Sequence, residues 1–134
     1  MIEYRTGNQI DLDVVLYVYR DSTLDARRPV EDRPRMAQML AQANLVISAW
    51  EGDLLVGIAR SLSDFCYATY LSDLAVRLAH QRRGIGRELM RRTQAAGGQA
   101  NVILLAAPAA VEYYAHVGFD AASGWILRPG QEIR

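Results

Sequence analysis

The sequence predicts a single α+β domain over residues 1–134, with a mixed, mostly antiparallel, twisted sheet flanked by helices. A length of 134 residues supports one hydrophobic core but not two. A content of 51% hydrophobic and 22% charged residues, with zero net charge, is typical of a globular protein. Near Val76 the pattern changes from strand-like segments with short turns to a glycine-rich basic loop followed by a helix.

The first third of the chain predicts a strand and two helices. Residues 2–5 alternate apolar and polar side chains, as in a half-buried strand. Asn8 is expected to cap a helix whose apolar side chains recur every three or four residues between positions 12 and 19. A polar loop is expected from 21 to 34, and a second short helix then ends at Asn44.

The middle of the chain predicts three antiparallel strands. Apolar segments at 45–50 and 54–60 flank the turn of residues 51–53, which indicates a hairpin. A third strand is expected from about Tyr67 to Val76.

The last third predicts one long helix and several smaller elements. The long helix begins at about Gly86 and ends at the glycine pair 97–98. We expect a short buried strand at 102–105, a helix from Pro108 that ends before Gly118, and a last strand within 122–133.

Composition excludes several classes of function. Zero net charge argues against a protein whose chief partner is a nucleic acid, because such binding depends on an excess of cations. All fifteen basic residues are arginines, so the chain has neither the lysine of a Walker phosphate loop nor a Schiff-base lysine. The lone Cys66 and two histidines indicate no internal disulfide and no metal site. With no signal-like or membrane-spanning apolar run, we expect a cytoplasmic protein without a membrane partner.

The most informative segment is Gln81–Gly86 (QRRGIG), which lies between a predicted strand and a predicted helix. Unpaired N–H groups at a helix start carry the positive end of the helix dipole, so glycines that let a ligand approach there form a diphosphate cradle. A dinucleotide fingerprint needs a third glycine where this chain has Leu89, so a Rossmann fold is excluded. Taken alone, the segment is also compatible with a glycine turn bearing a solvated arginine face.

A second motif, EYYAHVGF at 112–119, follows downstream. With the DLAV segment at 73–76 and the QRRGIG segment, it resembles the GNAT superfamily of acetyl-CoA-dependent N-acetyltransferases. In that family a strand leads into Q/R-x-x-G-x-G/A, and a later helix ends in a Tyr followed four residues on by Gly-Phe. Tyr114 and the pair Gly118-Phe119 match that helix end. The resemblance implies a GNAT-like fold whose sheet splays after the third hairpin strand, and no metal.

The resemblance implies a binding site for acetyl-CoA as cosubstrate. Backbone groups of a β-strand would pair with the pantetheine arm, and the basic glycine loop would hold the pyrophosphate. The implied coenzyme-binding residues are Leu74, Ala75, Val76, Gln81, Arg82, Arg83, Gly84, Ile85, Gly86 and Arg87.

The resemblance also implies direct transfer of the acetyl group to a primary amine, with Tyr114 as the catalytic residue. Amine attack on the thioester gives an oxyanion that a backbone N–H near Ala75 or Val76 holds. Tyr114 then protonates the departing thiolate; a phenol of pKa about 10 is protonated at neutral pH and lies close enough to a thiol's value of about 8.5 to assist. Tyr113 is expected to be an ordinary packing residue.

Two positions depart from the family pattern. Ala107 stands where many members have an Asn seven residues before the tyrosine, which removes a hydrogen bond to the coenzyme or the helix start. No general base is assigned, because Tyr70 and Ser72 occupy the strand face that points to the acceptor. Strand alternation places the Asp73 carboxylate on the opposite face unless a bulge redirects it. Asp73 is therefore interpreted as structural, and a water chain or an amine that arrives neutral would replace the base.

The remaining reactive side chains have plainer interpretations. Cys66 is expected to be a packed thiol, and the two histidines, His80 and His116, surface or locally paired residues. The charges between 27 and 32 are interpreted as a solvated loop. In the resembling family this segment walls the acceptor site, so Arg27 and Arg28 join Tyr70 and Ser72 as candidate substrate contacts.

The expected partner is a small-molecule or peptide amine, and a homodimer is left open. Two rival functions remain: a coenzyme-A-binding module without turnover, and a nucleic-acid-binding protein that uses the arginines of the glycine loop and the following helix. The second rival lacks an aromatic stacking platform among those arginines.

Overall fold

The computed structural model describes residues 1–134 and contains one five-stranded sheet in the order β1-β2-β3-β4-β5. The strands are β1 (Ile2–Thr6), β2 (Leu45–Glu51), β3 (Leu54–Ser63), β4 (Ala68–Val76) and β5 (Asn101–Ile103). Neighbours from β1 to β4 are antiparallel, and β5 runs parallel to β4. The α+β class and the predicted hairpins are confirmed.

Four α-helices accompany the sheet: α1 (Leu12–Asp21), α2 (Arg33–Gln42), α3 (Ile85–Ala96) and α4 (Val111–His116). Short 3-10 helices lie at Leu24–Arg27, Leu78–His80 and Pro108–Ala110. The chain forms two compact units, Met1–Leu104 and Leu105–Arg134. The first contains the sheet with α1 to α3, and the second contains α4. None of the helices combines the length and the hydrophobicity that a membrane span requires.

The helices of the first unit cover both faces of the sheet. On one face, Val15 and Tyr19 of α1 belong to the same buried cluster as Ile58 of β3. On the other face α3 packs against Gly57, where a Cβ atom would lie 3.1 Å from Leu89 Cδ1 and 3.3 Å from the Ala75 carbonyl oxygen. A glycine at this point therefore lets α3 approach the sheet closely.

Asn8 caps a different helix from the one predicted. The cap of α1 is Asp11, whose carboxylate accepts from the Asp13 N–H at 2.9 Å. The Asn8 amide nitrogen instead donates to the carbonyl oxygens of Leu40, Ala41 and Ala43 at 3.1 to 3.2 Å. It satisfies the end of α2, whose last carbonyls have no partner within the helix. The signal was correct for a cap, but its partner lies far away in sequence.

Two predicted strands near the C-terminus differ from the structure. β5 has three residues rather than a buried segment at 102–105, and Ile103 is 48% exposed because β5 lies at the edge of the sheet. The region 122–133 forms no strand, and Trp125 there is 93% exposed. Its one backbone hydrogen bond joins the Gln131 N–H to the Arg128 carbonyl, so no neighbouring strand stabilises an extended ladder.

Candidate active site

β4 has a free edge where its sheet opens. It pairs with β5 only over its first three residues, so the edge beyond Tyr70 has no neighbouring strand. The Arg77 N–H donates to the Val56 carbonyl at 2.8 Å, and the antiparallel register then assigns Ala75 to a pair bonded with β3. By the same alternation Leu74 and Val76 direct their N–H and C=O groups to the open edge. An added extended chain can pair there.

The first turn of α3 presents N–H groups that have no acceptor in the protein. These are the groups of residues 85–87, and the cap residue Gly84 contributes no side-chain hydrogen bond. Gly84 has φ of +81°, and a Cβ atom built on it would have no heavy atom within 4 Å. The turn is therefore open to a ligand, and its electrostatics suit a diphosphate.

Charged side chains surround this turn. Arg82, Arg83 and Arg87 are exposed, and Arg83 Nη2 lies 3.7 Å from Glu51 Oε2. The other oxygen of Glu51 lies 3.1 Å from His80 Nε2. This hydrogen bond, with the charges of His80 and Arg83, lowers the pKa of Glu51. His80 is thus buried and locally paired rather than on the surface.

Gln81 and Val76 are joined within the site. The Gln81 side-chain amide donates to the Val76 carbonyl at 3.0 Å. This contact ties the beginning of the glycine loop to the end of β4, and it leaves the Val76 N–H as the group available at the strand end. Gln81 therefore connects the two halves of the candidate coenzyme site.

Tyr114 belongs to the second unit, where aromatic contacts hold its ring. The ring packs edge-on against Tyr113, with 5.3 Å between centroids, and against Phe119 at 5.6 Å. Gly118 has φ of +111°, and the Phe119 N–H then donates to the Tyr114 carbonyl at 2.9 Å. The Gly-Phe pair therefore orients the Tyr114 ring. Tyr113 is 42% exposed, more than a packing residue was expected to be.

Ala107 begins the short 3-10 helix ahead of α4 without a side-chain hydrogen bond. Only its carbonyl oxygen takes part, accepting from the Ala110 N–H at 2.8 Å. The helix start therefore lacks the side-chain cap that an Asn supplies.

A bulge in β4 changes the direction of Asp73. The register pairs Arg60 with Asp73 but Ser61 with Leu71, so Ser72 has no partner on β3. Simple alternation across this point predicted Asp73 and Tyr70 on opposite faces. The register instead pairs Tyr70 with Leu62, two residues from Arg60, so Tyr70 and Asp73 share the face that α1 covers. The bulge moves the carboxylate into the core.

The Asp73 carboxylate is fully buried and receives four hydrogen bonds. Its donors are the Tyr19 hydroxyl at 2.5 Å, Arg28 Nε at 2.5 Å, Arg60 Nε at 2.6 Å and the Ser72 hydroxyl at 3.2 Å. Burial by itself raises the pKa of Asp73, but the hydrogen bonds and charges of Arg60, Tyr19 and Arg28 lower it below the ordinary value. Burial and the neighbouring carboxylate raise the pKa of Tyr19. Asp73 is therefore an ionised, internally paired group.

The four candidate substrate residues occupy different environments. Arg28 and Ser72 belong to the Asp73 cluster, so the expectation of a solvated loop is wrong for Arg28, whose side chain is 19% exposed. Tyr70 is 38% exposed, and Arg27 is exposed with its carbonyl accepting from Arg28 Nη1 at 2.8 Å.

Tyr19 and Arg60 were missed by sequence reasoning. The sequence did indicate a special role for Arg60, because it is a charged residue at the end of an apolar segment that forms a strand between two others. A buried guanidinium needs a carboxylate partner, and Asp73 on the next strand supplies one.

Cys66 is exposed rather than packed. It lies in the turn between β3 and β4, where desolvation and the neighbouring Asp64 carboxylate raise the pKa of the thiol. A raised pKa favours the protonated form, which is a poor nucleophile.

Comparisons with known proteins identify a family. The model of the acetyltransferase (GNAT) domain family matches residues 18–128. An uncharacterised ycf52-like N-acetyltransferase of Prochlorococcus marinus is 28% identical over 134 residues, which covers 95% of this chain and 67% of that protein.

Solved structures share the fold. The GNAT-family acetyltransferase SP0256 of Streptococcus pneumoniae is 25% identical with a TM-score of 0.71, covering 96% of this chain and 99% of that one. An aminoglycoside N-acetyltransferase, AAC(6')-Iy, in complex with CoA is similar in fold at 15% identity and a TM-score of 0.74, covering 98% of this chain and 95% of that one. Since the family model spans most of the sequence, from the end of α1 to beyond α4, this chain belongs to the GNAT family of acetyltransferases.

Proposed function

We propose that the protein transfers the acetyl group of acetyl-CoA directly to a primary amine. The observation that carries this proposal is the continuity of two kinds of free backbone group along the chain. The open edge at Leu74 and Val76 suits the amide-bearing pantetheine arm, and the first turn of α3 suits the pyrophosphate. The three exposed arginines Arg82, Arg83 and Arg87 supply countercharge.

Within this proposal the Val76 N–H, rather than that of Ala75, holds the oxyanion of the reaction. Ala75 belongs to a pair bonded with β3, so its N–H is directed away from the open edge. A backbone N–H that is already oriented needs no reorganisation when negative charge develops on the carbonyl oxygen.

Tyr114 is the proposed proton donor to the departing thiolate. Its match to the family motif and its ring contacts with Tyr113 and Phe119 support this role. A protonated phenol contributes most when charge appears on sulfur in the transition state.

Asp73 is not the base in this proposal. A buried carboxylate that accepts hydrogen bonds from two guanidinium groups is a weak proton acceptor. The amine proton therefore leaves through water, or the amine arrives neutral.

Thiol release from acetyl-CoA, measured with a panel of amines, tests the function. The panel contains simple amines, amino acids, aminoglycosides and peptides with free N-termini. Turnover with one class supports the proposal and names the acceptor. Coenzyme binding without turnover on any class would contradict it and establish the coenzyme-A-binding module.

A further inference from the structure

The bulged residue Ser72 is held by two arginines as well as by its position in the strand. Arg28 Nη2 donates to the Ser72 carbonyl at 2.6 Å, and Arg60 Nη2 donates to the Ser72 hydroxyl at 2.9 Å. The Nε group of each arginine binds Asp73. Each guanidinium thus bridges the carboxylate to the residue beside it, a geometry that a planar fork with several donors allows.

The same two arginines reach other parts of the first unit. Arg28 follows the 3-10 helix between α1 and α2, and its Nη1 donates to the Arg27 carbonyl. Arg60 Nη1 donates to the carbonyl of Met39 in α2 at 3.1 Å. The cluster of Arg28, Arg60 and Asp73, called here the bulge clamp, therefore connects the α1–α2 loop and α2 to one point of β4.

The bulge at Ser72 determines which β4 residues direct their N–H and C=O groups to the open edge of the sheet. Directions of N–H and C=O groups alternate along a strand, so a shift of one residue exchanges them. Without the extra residue Ser72, Leu74 would stand opposite Ile58, where Ala75 now forms its bonded pair. The groups of Leu74 would then face β3 and leave the open edge.

We propose that Asp73, with Arg28 and Arg60, is a positioning group that holds the bulge at Ser72 and so directs the backbone groups of Leu74 and Val76 toward the acyl donor. This inference rests on the proposed function for its consequence in catalysis.

Arg28→Met is the first test, because Arg28 is the more exposed arginine of the clamp and its loss is the more tolerable for folding. The variant is expected to lower kcat by roughly 10- to 100-fold, since a displacement of about 1 Å can cost that much, while coenzyme affinity falls far less. Arg28→Lys should recover part of the loss, because an ammonium group retains the charge but cannot bridge Asp73 and Ser72 as a fork does.

Tyr19→Phe is the matched control. It removes a hydrogen bond of 2.5 Å from the same carboxylate but no contact with Ser72. We expect Tyr19→Phe to lower Tm and leave kcat near that of the wild type, measured well below either Tm. If Tyr19→Phe and Arg28→Met lower kcat alike, or neither lowers it, the cluster is only structural and the positioning role is wrong.

Amide hydrogen exchange provides a readout that needs no turnover. Coenzyme A should protect the Leu74 and Val76 amides in the wild type, and in Arg28→Met it should protect the first-turn amides of α3 but not those two. Equal protection at all sites in both proteins would overturn the clamp. If the wild type binds no coenzyme, the proposed function fails instead; the amide resonances of residues 72–76 in the free protein then decide, and a shift in Arg28→Met but not in Tyr19→Phe still supports the clamp.

Discussion

The two connections that flank β4 treat their backbone N–H groups in opposite ways. Before β4, the N–H groups of Cys66, Tyr67 and Ala68 donate to one carboxylate oxygen of Asp64 at 2.8 to 3.0 Å. After β4, the N–H groups of residues 85–87 have no acceptor in the protein. Both connections also contain a non-glycine residue with a positive φ, Phe65 at 62° and Arg82 at 63°.

The difference between the two turns lies in whether the chain itself supplies an acceptor for the N–H groups. Such clusters favour an anion wherever they occur. In the turn before β4 the Asp64 carboxylate is that anion. The hydrogen bonds from Tyr67, Cys66 and Ala68 hold the pKa of Asp64 far below its ordinary value. In the turn after β4 no carboxylate accepts from the N–H groups of residues 85–87, and three exposed arginines, Arg82, Arg83 and Arg87, lie nearby, so the turn is suited to an anion from a ligand. N–H groups therefore stabilise the fold at one end of β4, and under the proposed function those at the other end bind the coenzyme.

The largest expected effect distinguishes the chemical role of Tyr114 from coenzyme binding at the turn after β4. Tyr114→Phe should lower kcat by about 10²- to 10⁴-fold, the usual contribution of general acid catalysis, and leave coenzyme affinity nearly unchanged. Steady-state kinetics and calorimetry measure the two quantities. Tyr113→Phe is the control and should remain active. If Tyr113→Phe loses turnover instead, the two tyrosines have exchanged roles; if both variants stay active, the thiolate leaves without a proton donor.

A smaller effect tests whether the glycine turn after β4 binds the coenzyme. Gly84→Trp should weaken coenzyme binding by about 100-fold, the equivalent of one strong charge-assisted hydrogen bond, because the indole covers the N–H groups at the start of α3. Gly52→Trp is closely matched: Gly52 also has a positive φ, +60°, and no atom within 4 Å of its Cβ position. Calorimetric titration with coenzyme A should show normal affinity for Gly52→Trp. Equal affinity for both variants would show that the coenzyme diphosphate does not bind at this turn.

The turn before β4, which contains Asp64, should affect the stability of the protein rather than coenzyme binding. Asp64→Ala is expected to lower Tm, and Asp64→Asn to lower it less because one oxygen acceptor remains. Since the pKa of Asp64 is lowered in the folded state, its stabilisation is complete above the unfolded value of about 3.9 and is lost as pH falls toward the folded value.

Calorimetry between pH 7 and pH 2 measures this dependence. Tm of the wild type should fall more steeply below about pH 4 than Tm of Asp64→Asn. Asp53→Asn, in the β2–β3 turn, should follow the wild type. A change in coenzyme affinity in Asp64→Asn would contradict the division of roles between the two turns.

The smallest effect concerns the arginine charge that is available to the coenzyme phosphates at the turn after β4. Glu51→Gln removes the carboxylate that lies 3.7 Å from Arg83 Nη2, so Arg83 becomes fully available to phosphate. Coenzyme affinity should rise by roughly two- to fivefold, the range typical of an exposed ion pair. The gain should shrink in high salt, where exposed charges are screened. A loss of affinity would mean that Glu51 orients Arg83 for binding instead of competing for it.

Short-range patterns in the sequence were sufficient for much of this protein. The hairpin at 45–60, the helix that ends at Gly97 and the glycine loop all follow from periodicity and from residues with restricted or permissive backbone. The family motifs also led to the correct superfamily, because each motif is contiguous in the chain. These features depend on interactions within a few residues.

Tertiary structure alone decided the features that depend on a distant partner. Asn8 is a cap by residue type, but only the fold shows that it caps α2. The direction of Asp73 depends on one unpaired residue, Ser72, and alternation cannot reveal an extra residue that the register of β3 and β4 creates. Arg28 and Arg60 reach that point from 45 and 13 residues away. Backbone propensity carries no information about contacts across such distances, which are settled by burial and by the need to pair every buried charge.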